Sequence, residues 1–549
     1  MLRGIILLCS LALGCSIQPG IAQEIPAGLH AQLPGEPSGR LAHIQQRGRL
    51  IVGVKDDYPP WGMRSAQGKL IGLEPDLAKD LADRLDVALE LVSVTASNRI
   101  GRVNSGRLDV VIATAGDTAQ RREHAGLLQP NYYSSGVVVY GRKDAGITRW
   151  ADLKGKKVCL NRGAFYNRVL EQEFGVDGQY FAANRDAQLA LMQGRCIGWA
   201  FDDTALAQLM RESQSDGASV YGVVSDAILV SPWAVIVAKD EEHGDLGRFV
   251  SDMIGEWHAS GRILALQDKW GISRSDFARQ QHELWRAQHE GRAVCARIAV
   301  NGSHPEECLL EAPQQNTPDV ALPNWVLALE KHTGVDLSAL VNPYNQTRLL
   351  RALLLTLSLS SIAIVGSLVV GITLSLLHIS VAPLGMVGRL LMIPQHILIT
   401  VARMTPPILQ LYIVFFGLGG ILSNPDSFLQ GAFFVAALIL SLYAGATNTI
   451  ILSHALEQET NSELGVLARL PGAIARGFDG LVATCVNIVK AAGMASAIAV
   501  SELVSTVDLL VSEGADTTSM MNGLLVFYFF FILSLLWLFN ALRGWLVRT

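Results

Sequence analysis

The sequence predicts a two-lobed α/β domain followed by an all-α membrane domain of about five transmembrane helices. Three observations carry that expectation. Residues 41–273 mix charged and apolar residues, with strand-like runs alternating with helix-like ones, as a parallel or mixed sheet requires. Residues 349–546 are dominated by long apolar runs. The whole chain, 549 residues with 50% hydrophobic and 17% charged residues, is too apolar for one water-soluble enzyme and long enough for several domains. The net charge of -5 is mild and argues against nucleic acid as a partner.

Residues 1–22 have an early Arg3, an apolar run and a small-x-small ending at Gly20-Ile21-Ala22. That is the form of a secretory signal peptide, with an uncleaved signal anchor as the alternative. On both readings the α/β domain is exported. "LIVGV" at 50–54 reads as a buried strand running into a Pro-rich turn. Residues 74–85 carry apolar residues three and four apart, with Pro75 suited to a first helical turn. A strand from 89, a short helix over 99–106 and the strand "DVVIAT" at 109–114 complete a first set.

A second set contains a strand at 157–160, helices at 164–174 and 186–193, and the strand "IGWAFDD". The chain then returns through "SPWAVIVAKD", and helices over 244–273 finish the domain. Two crossings, near 137–141 and 232–238, would join the lobes as a hinge, with a ligand held between them.

Residues 274–346 read as a polar periplasmic connector. In it Cys295 and Cys308 flank a polar loop, and their pairing would stabilise the fold by roughly 3 kcal/mol in the chain-entropy model. Cys159 and Cys196 are a second candidate pair. No Cys/His spacing matches a metal site.

Five apolar stretches come next, at 349–377, 386–422, 428–452, 481–503 and 521–546, each long enough for about 30 Å of hydrocarbon. Loops after the first and third stretches, and the C-terminus, carry Arg389, Arg469, Arg476, Arg543 and Arg548. The opposite loops carry Asp426, Asp508, Glu513 and Asp516 and no Lys or Arg. Positive charge marks the cytoplasmic side, so the N-terminal domain lies outside a bacterial inner membrane.

"RLIVGVKDDYPPWGM", "NRIGRVNSGRLDVVIATAGDTAQRRE", "DLKGKKVCLNRGAFYN" and "MQGRCIGWAFDDTAL", in that order, resemble the polar amino-acid type of periplasmic solute-binding protein, most closely its glutamate/aspartate branch. The resemblance implies a solute-binding domain over 41–273 that takes an amino acid and catalyses nothing. A zwitterion needs a planar double donor for its carboxylate, an anion for its ammonium and packing for its carbons. Arg121 would be the bidentate clamp. Asp203 would take the ammonium, with Asp202 the less favoured choice. Tyr58 and Trp61 would cover the aliphatic part. Lys55 and Arg99 would supply cations for a second carboxylate, and Thr114 with backbone near Gly116 and Gly163 would complete the hydrogen bonds. Arg122, Arg102 and Arg107 read as exposed charges.

Lys55 stands where the acidic-ligand branch has Arg, and Gly116 replaces a hydroxyl residue. A larger dicarboxylate or another anionic amino acid therefore stays open as ligand.

In the membrane part, "ARMTPPILQLYIVFF", "SLYAGATNTI" and "NIVKAAGMASAIAVSELV" resemble ABC-transporter permeases for polar amino acids. That resemblance implies a permease homodimer over 347–549 served by a cytoplasmic ATPase, with Arg403, Thr405 and Lys490 on the translocation path. Arg403 as an interfacial charge is the alternative. No G-x-x-x-x-G-K-[ST] occurs, so ATP and magnesium would act only through a separate subunit. The segment 455–480, where the ATPase would dock, is shorter than in the family, and Asn448 and His454 replace a charged pair. That departure puts ATPase coupling in question and keeps open the rival reading, an amino-acid-sensing receptor or ligand-gated channel, although a membrane part that follows the finished second lobe argues against the channel. A membrane-anchored enzyme finds no nucleophile–base pair or metal cluster.

Overall fold

The computed structural model describes residues 39–206, 220–289, 292–298, 302–310, 323–418, 431–458, 465–513 and 515–546. The expected signal peptide at 1–22, Asp426 and Arg548 lie outside them.

One sheet runs through both lobes. Its first lobe is built on β1 (Arg49–Val54), which pairs in parallel with β5 (Ala88–Ser93) and β6 (Val110–Gly116). Every residue of β6 is buried, so a continuous apolar run rather than an alternating one fits it. The helix Leu73–Arg84 buries Leu73, Leu77, Ala78, Leu81 and Ala82 at the predicted three- and four-residue spacing. Between β1 and that helix the Pro-rich turn opens into a small sheet of β2 (Asp57–Tyr58), β3 (Gly62–Arg64) and β4 (Leu70–Ile71). The two helices expected over 244–273 are Asp245–Ala259 and Arg262–Lys269, parted by Gly261, whose φ of 72° suits glycine.

The second lobe contains β8 (Lys157–Asn161), β9 (Asp177–Phe181) and β10 (Gly198–Asp202), with helices Asn167–Gln172 and Asn184–Met192. Two long strands, β7 (Gly126–Arg142) and β12 (Ile228–Val237), are antiparallel partners that belong to both lobes. In β7, residues 137–141 already pair with β10; in β12, residues 233–236 pair with β6. The chain therefore changes lobes at 134–136 and 228–232, a few residues before the expected positions at 137–141 and 232–238.

In the connector, helix Asp276–Arg286 packs back on the binding domain: a Cβ at Gly255 would lie 2.5 Å from the Trp285 ring. Cys295–Cys308 and Cys159–Cys196 are both disulfides.

Among the described residues, four helical segments are long and apolar enough to cross a membrane, Pro343–Met404, Ala432–Glu457, Val466–Ile498 and Thr517–Arg543, where five were expected. The first two predicted stretches share Pro343–Met404, where a short turn at 382–384 separates Pro343–Val381 from Gly385–Met404. The second stretch also breaks as a helix at Thr405-Pro406, because proline removes a donor. Gln410 Nε2 donates to the carbonyls of Ala402 and Thr405, both at 2.8 Å, which satisfies acceptors released by the break. Glycines bring the first and second long segments close: a Cβ at Gly371 would lie 2.6 Å from that of Asn448. Asn448 is buried there and donates to Ser367 Oγ at 3.2 Å.

The second lobe rests on the membrane helices. Arg195 lies 3.6 Å over the Phe415 ring, Gln193 donates to the Phe416 carbonyl at 2.6 Å, and Tyr412 to Asp186 at 3.2 Å. Arg162 approaches Asp508 at 3.8 Å, and Arg348 pairs with Glu513 at 2.9 Å. Two of the acidic residues predicted for the outer loops thus face basic partners.

Candidate functional site

The cleft is closed along its length. Gly163 of the second lobe sits so near the first that a Cβ would lie 2.7 Å from Ala96 backbone, and its φ of 76° independently favours glycine. A Cβ at Gly116 would lie 2.8 Å from Phe165 across the cleft. The Asn184 main-chain N–H donates to Asp57 Oδ2 at 2.9 Å, tying the helix Asn184–Met192 to β2.

Arg121 is buried on the helix Ala119–His124, which Thr118 caps by accepting the Arg121 N–H at 3.3 Å. Its guanidinium donates to the Gly116 carbonyl at 2.8 Å and, across the cleft, to the Gly163 carbonyl at 2.7 Å. Burial, helped by the Arg99 charge, brings its pKa down to about 9. Arg99 begins the helix Arg99–Asn104 and donates to the carbonyls of Ala113 and, at 3.2 Å, Thr114. Burial lowers its pKa too. Both guanidiniums are held by main-chain carbonyls, and among the described residues neither forms an ion pair with a carboxylate.

The two adjacent aspartates divide. Asp202 ends β10 buried in the cleft and accepts the Tyr58 phenolic hydrogen from the other lobe. Burial pushes its carboxyl up to about 7. Asp203, the residue favoured from the sequence, turns instead to Ser135, which donates to it at 2.6 Å beside the crossing. The strand ends at Asp202 and Asp203 opens a helical turn, so the two side chains leave the backbone in different directions.

Three further expectations need correction. Trp61 is fully buried, its ring 4.4 Å from Tyr133 and 4.9 Å from Trp233, so it belongs to the first lobe's aromatic core and does not cover the cleft. Lys55 is buried but already paired with Asp57 at 3.4 Å. Arg122, read as an exposed charge, forks onto the fully buried Asp117 at 2.7 and 2.6 Å.

Tyr58 does line the cleft, its ring 5.0 Å from Phe201. Thr114 has a φ of 47°, and its N–H is taken by Glu74 at 2.6 Å and Tyr132 at 3.0 Å. Glu74 is the charged group that sequence reasoning missed. It is fully buried, accepts from Tyr132 at 2.6 Å, and burial lifts its pKa to about 7. It stands in the first turn of a helix, where an acidic residue is ordinary, so nothing local marked it. Phe165, inside the run "NRGAFYN", was also missed.

In the membrane part, Arg403 and Lys490 are exposed, and Thr405 Oγ1 bonds its own helix at Val401 O, 2.6 Å away.

Residues 50–273 match the family model "Bacterial extracellular solute-binding proteins, family 3". The chain is 31% identical over 235 residues to the L-cystine-binding protein TcyJ of Escherichia coli K12, covering 42% of this chain and 86% of that protein. It is 32% identical over 236 residues to a glutamine-binding protein of Geobacillus stearothermophilus, covering 42% and 87%. Against a glutamate/aspartate import solute-binding protein of Salmonella typhimurium it is 22% identical over 265 residues, covering 46% and 86%. With the two-lobed cleft and a relative above 30% identity matched over most of its length, the chain belongs to the family 3 bacterial extracellular solute-binding proteins.

Proposed function

We propose that this chain is the fused substrate-binding and permease subunit of an ABC importer for a polar amino acid carrying two carboxylates. The single observation that supports this best is the pair of buried guanidiniums, Arg99 and Arg121, without a carboxylate partner among the described residues. A buried, unneutralised charge costs several kcal/mol, and a ligand carboxylate on each would offset that cost. Asp202 is the better candidate than Asp203 for the ligand ammonium, because its carboxylate faces the cleft. Acidic amino acids satisfy this arrangement. Cystine, the ligand in the name of one relative, satisfies it too, since it has a carboxylate and an ammonium at each end. Glu74, with Oε2 unbonded, stands ready as a second anion and favours that choice.

Ligand would bind outside the membrane and pass to a cavity between two permease copies. Exposure of Arg403 and Lys490 in one copy supports their facing such a path. ATP hydrolysis would reside in a separate cytoplasmic ATPase subunit. Calorimetric titration of the full chain in detergent with L-cystine, L-glutamate, L-aspartate, L-glutamine and L-arginine tests the cleft. Binding of L-arginine alone would overturn the two-carboxylate reading.

The second reading, a receptor without transport, draws on the short segment 455–480, of which 459–464 lie outside the described residues. Uptake into proteoliposomes with a co-purified ATPase separates the two: ATP-dependent accumulation supports the importer, and ligand binding without it supports the receptor.

A further inference from the structure

At Arg121 the mouth of the cleft meets the membrane domain. A cavity of about 20 Å³ there is lined by Arg121, Gly163, Phe165 and Arg168 from the binding domain and by Ser512 and Glu513 from the membrane domain. Glu513 thus lines the same small cavity as the guanidinium that the ligand reading assigns to a carboxylate, and its charge acts on Arg121.

Glu513 is held for the present by Arg348, whose Nη1 lies 3.2 and 2.9 Å from its two oxygens. Arg348 has other partners. Its Nε is 3.9 Å from Glu171 of the second lobe, and its guanidinium lies 4.8 Å over the Tyr344 ring. Loss of Glu513 would therefore leave Arg348 beside Glu171, whereas Arg121 has no ion-pair partner among the described residues. An exchange of Glu513 from one arginine to the other keeps every charge paired, and so needs no uncompensated buried ion at either end.

We propose that Glu513 is the release residue of this chain, moving from Arg348 to Arg121 and displacing the ligand carboxylate at the cleft mouth. This rests on the amino-acid-binding reading above, and adds that the membrane domain itself supplies the competing anion. Ligand leaves because an intramolecular carboxylate, present at high effective concentration, takes its place.

The test uses the full chain in lipid nanodiscs and a radiolabelled amino acid from the titration panel, its dissociation followed after a chase with unlabelled excess. Glu513→Gln should slow dissociation about tenfold with association unchanged, since affinity changes within one site fall mainly on the off-rate. Arg348→Gln should do the opposite and speed release, because it frees Glu513; Glu513→Asp should stay near the wild-type rate. A purely structural role would instead lower the unfolding temperature of both Gln variants and shift dissociation in the same direction in each. Wild-type dissociation rates in Glu513→Gln and Arg348→Gln, or same-direction shifts, would overturn the proposal while leaving the cleft's function intact. Failure of the wild-type chain to retain any of the five amino acids would overturn the binding reading itself, and this inference with it.

Discussion

Tyr58 in the first lobe donates its phenolic hydrogen to Asp202 in the second, and both groups are buried. The bond joins the lobes in the closed state, and it also holds a carboxylate in the cleft that would otherwise be repelled from a low-dielectric site. Tyr58→Phe should weaken amino-acid binding by about tenfold, the factor expected when a buried acceptor loses its donor at roughly 1–3 kcal/mol. Asp202→Asn should cost about 100-fold, as for truncation of a buried charge partner. Asp203→Ala should leave affinity within about threefold and instead lower thermal stability, because it loses the Ser135 contact at the crossing. Calorimetry and thermal unfolding of the three variants check this.

Arg121→Met and Arg99→Met should each reduce affinity for the bound amino acid by about 100-fold, while far-ultraviolet circular dichroism is retained. Each removes a charge that forms no direct ion pair among the described residues. A ligand with one carboxylate should lose affinity only through Arg121→Met, so the pair of titrations also counts the ligand's carboxylates.

Binding should release protons near neutral pH. In the ligand-free protein burial raises Asp202 to about 7, so at pH 6 it is largely protonated. An arriving ammonium favours the carboxylate and expels that proton. Affinity should therefore fall as pH drops below 7, by up to about tenfold per unit. Titrations at pH 6 in two buffers of different ionisation enthalpy would read the released proton as a difference in observed heat, and equal heats would count against Asp202.

His258 sets an acid limit on stability. Its ring is buried, bonds the Asn131 carbonyl at 2.9 Å, and burial lowers its pKa to about 4, against 6.5 when exposed. The unfolded chain therefore takes up the proton first as pH falls. The stabilisation is whole above pH 6.5 and is lost progressively down to about pH 4, amounting to about 3 kcal/mol. In His258→Gln the unfolding temperature should respond less steeply to pH across that window.

Gly116→Ala introduces a methyl where Phe165 stands 2.8 Å away across the cleft and the Ser231 hydroxyl 3.1 Å away. Phe165 approaches from the opposite lobe, so the cost should fall on closure. Affinity should drop about tenfold with little change in the unfolding temperature, measured by calorimetry and thermal unfolding.

Much of the architecture was legible because it repeats along the chain. The three- and four-residue spacing of Leu73, Leu77 and Leu81 specified a helix, and the unbroken apolar run of β6 a buried strand. The motif order indicated two lobes, and apolar length pointed to membrane helices. The small sheet at 57–71 was missed because its strands are two or three residues long, too short for any period to register.

What the sequence determined by itself, then, was which elements form and which charges stand near the cleft, since both depend on local composition. Only the tertiary structure decided which of those charges are already spent. Lys55 is matched by Asp57 and Arg122 by Asp117, Asp203 is turned to Ser135, and Trp61 is absorbed into the core, whereas Arg99 and Arg121 keep no carboxylate partner among the described residues. It likewise brought Glu74 to the cleft from an unremarkable first helical turn, and Glu513 to its mouth from the membrane domain. The physical reason is that an ion's energy depends on its partners and its burial, and both are fixed by residues far away in sequence.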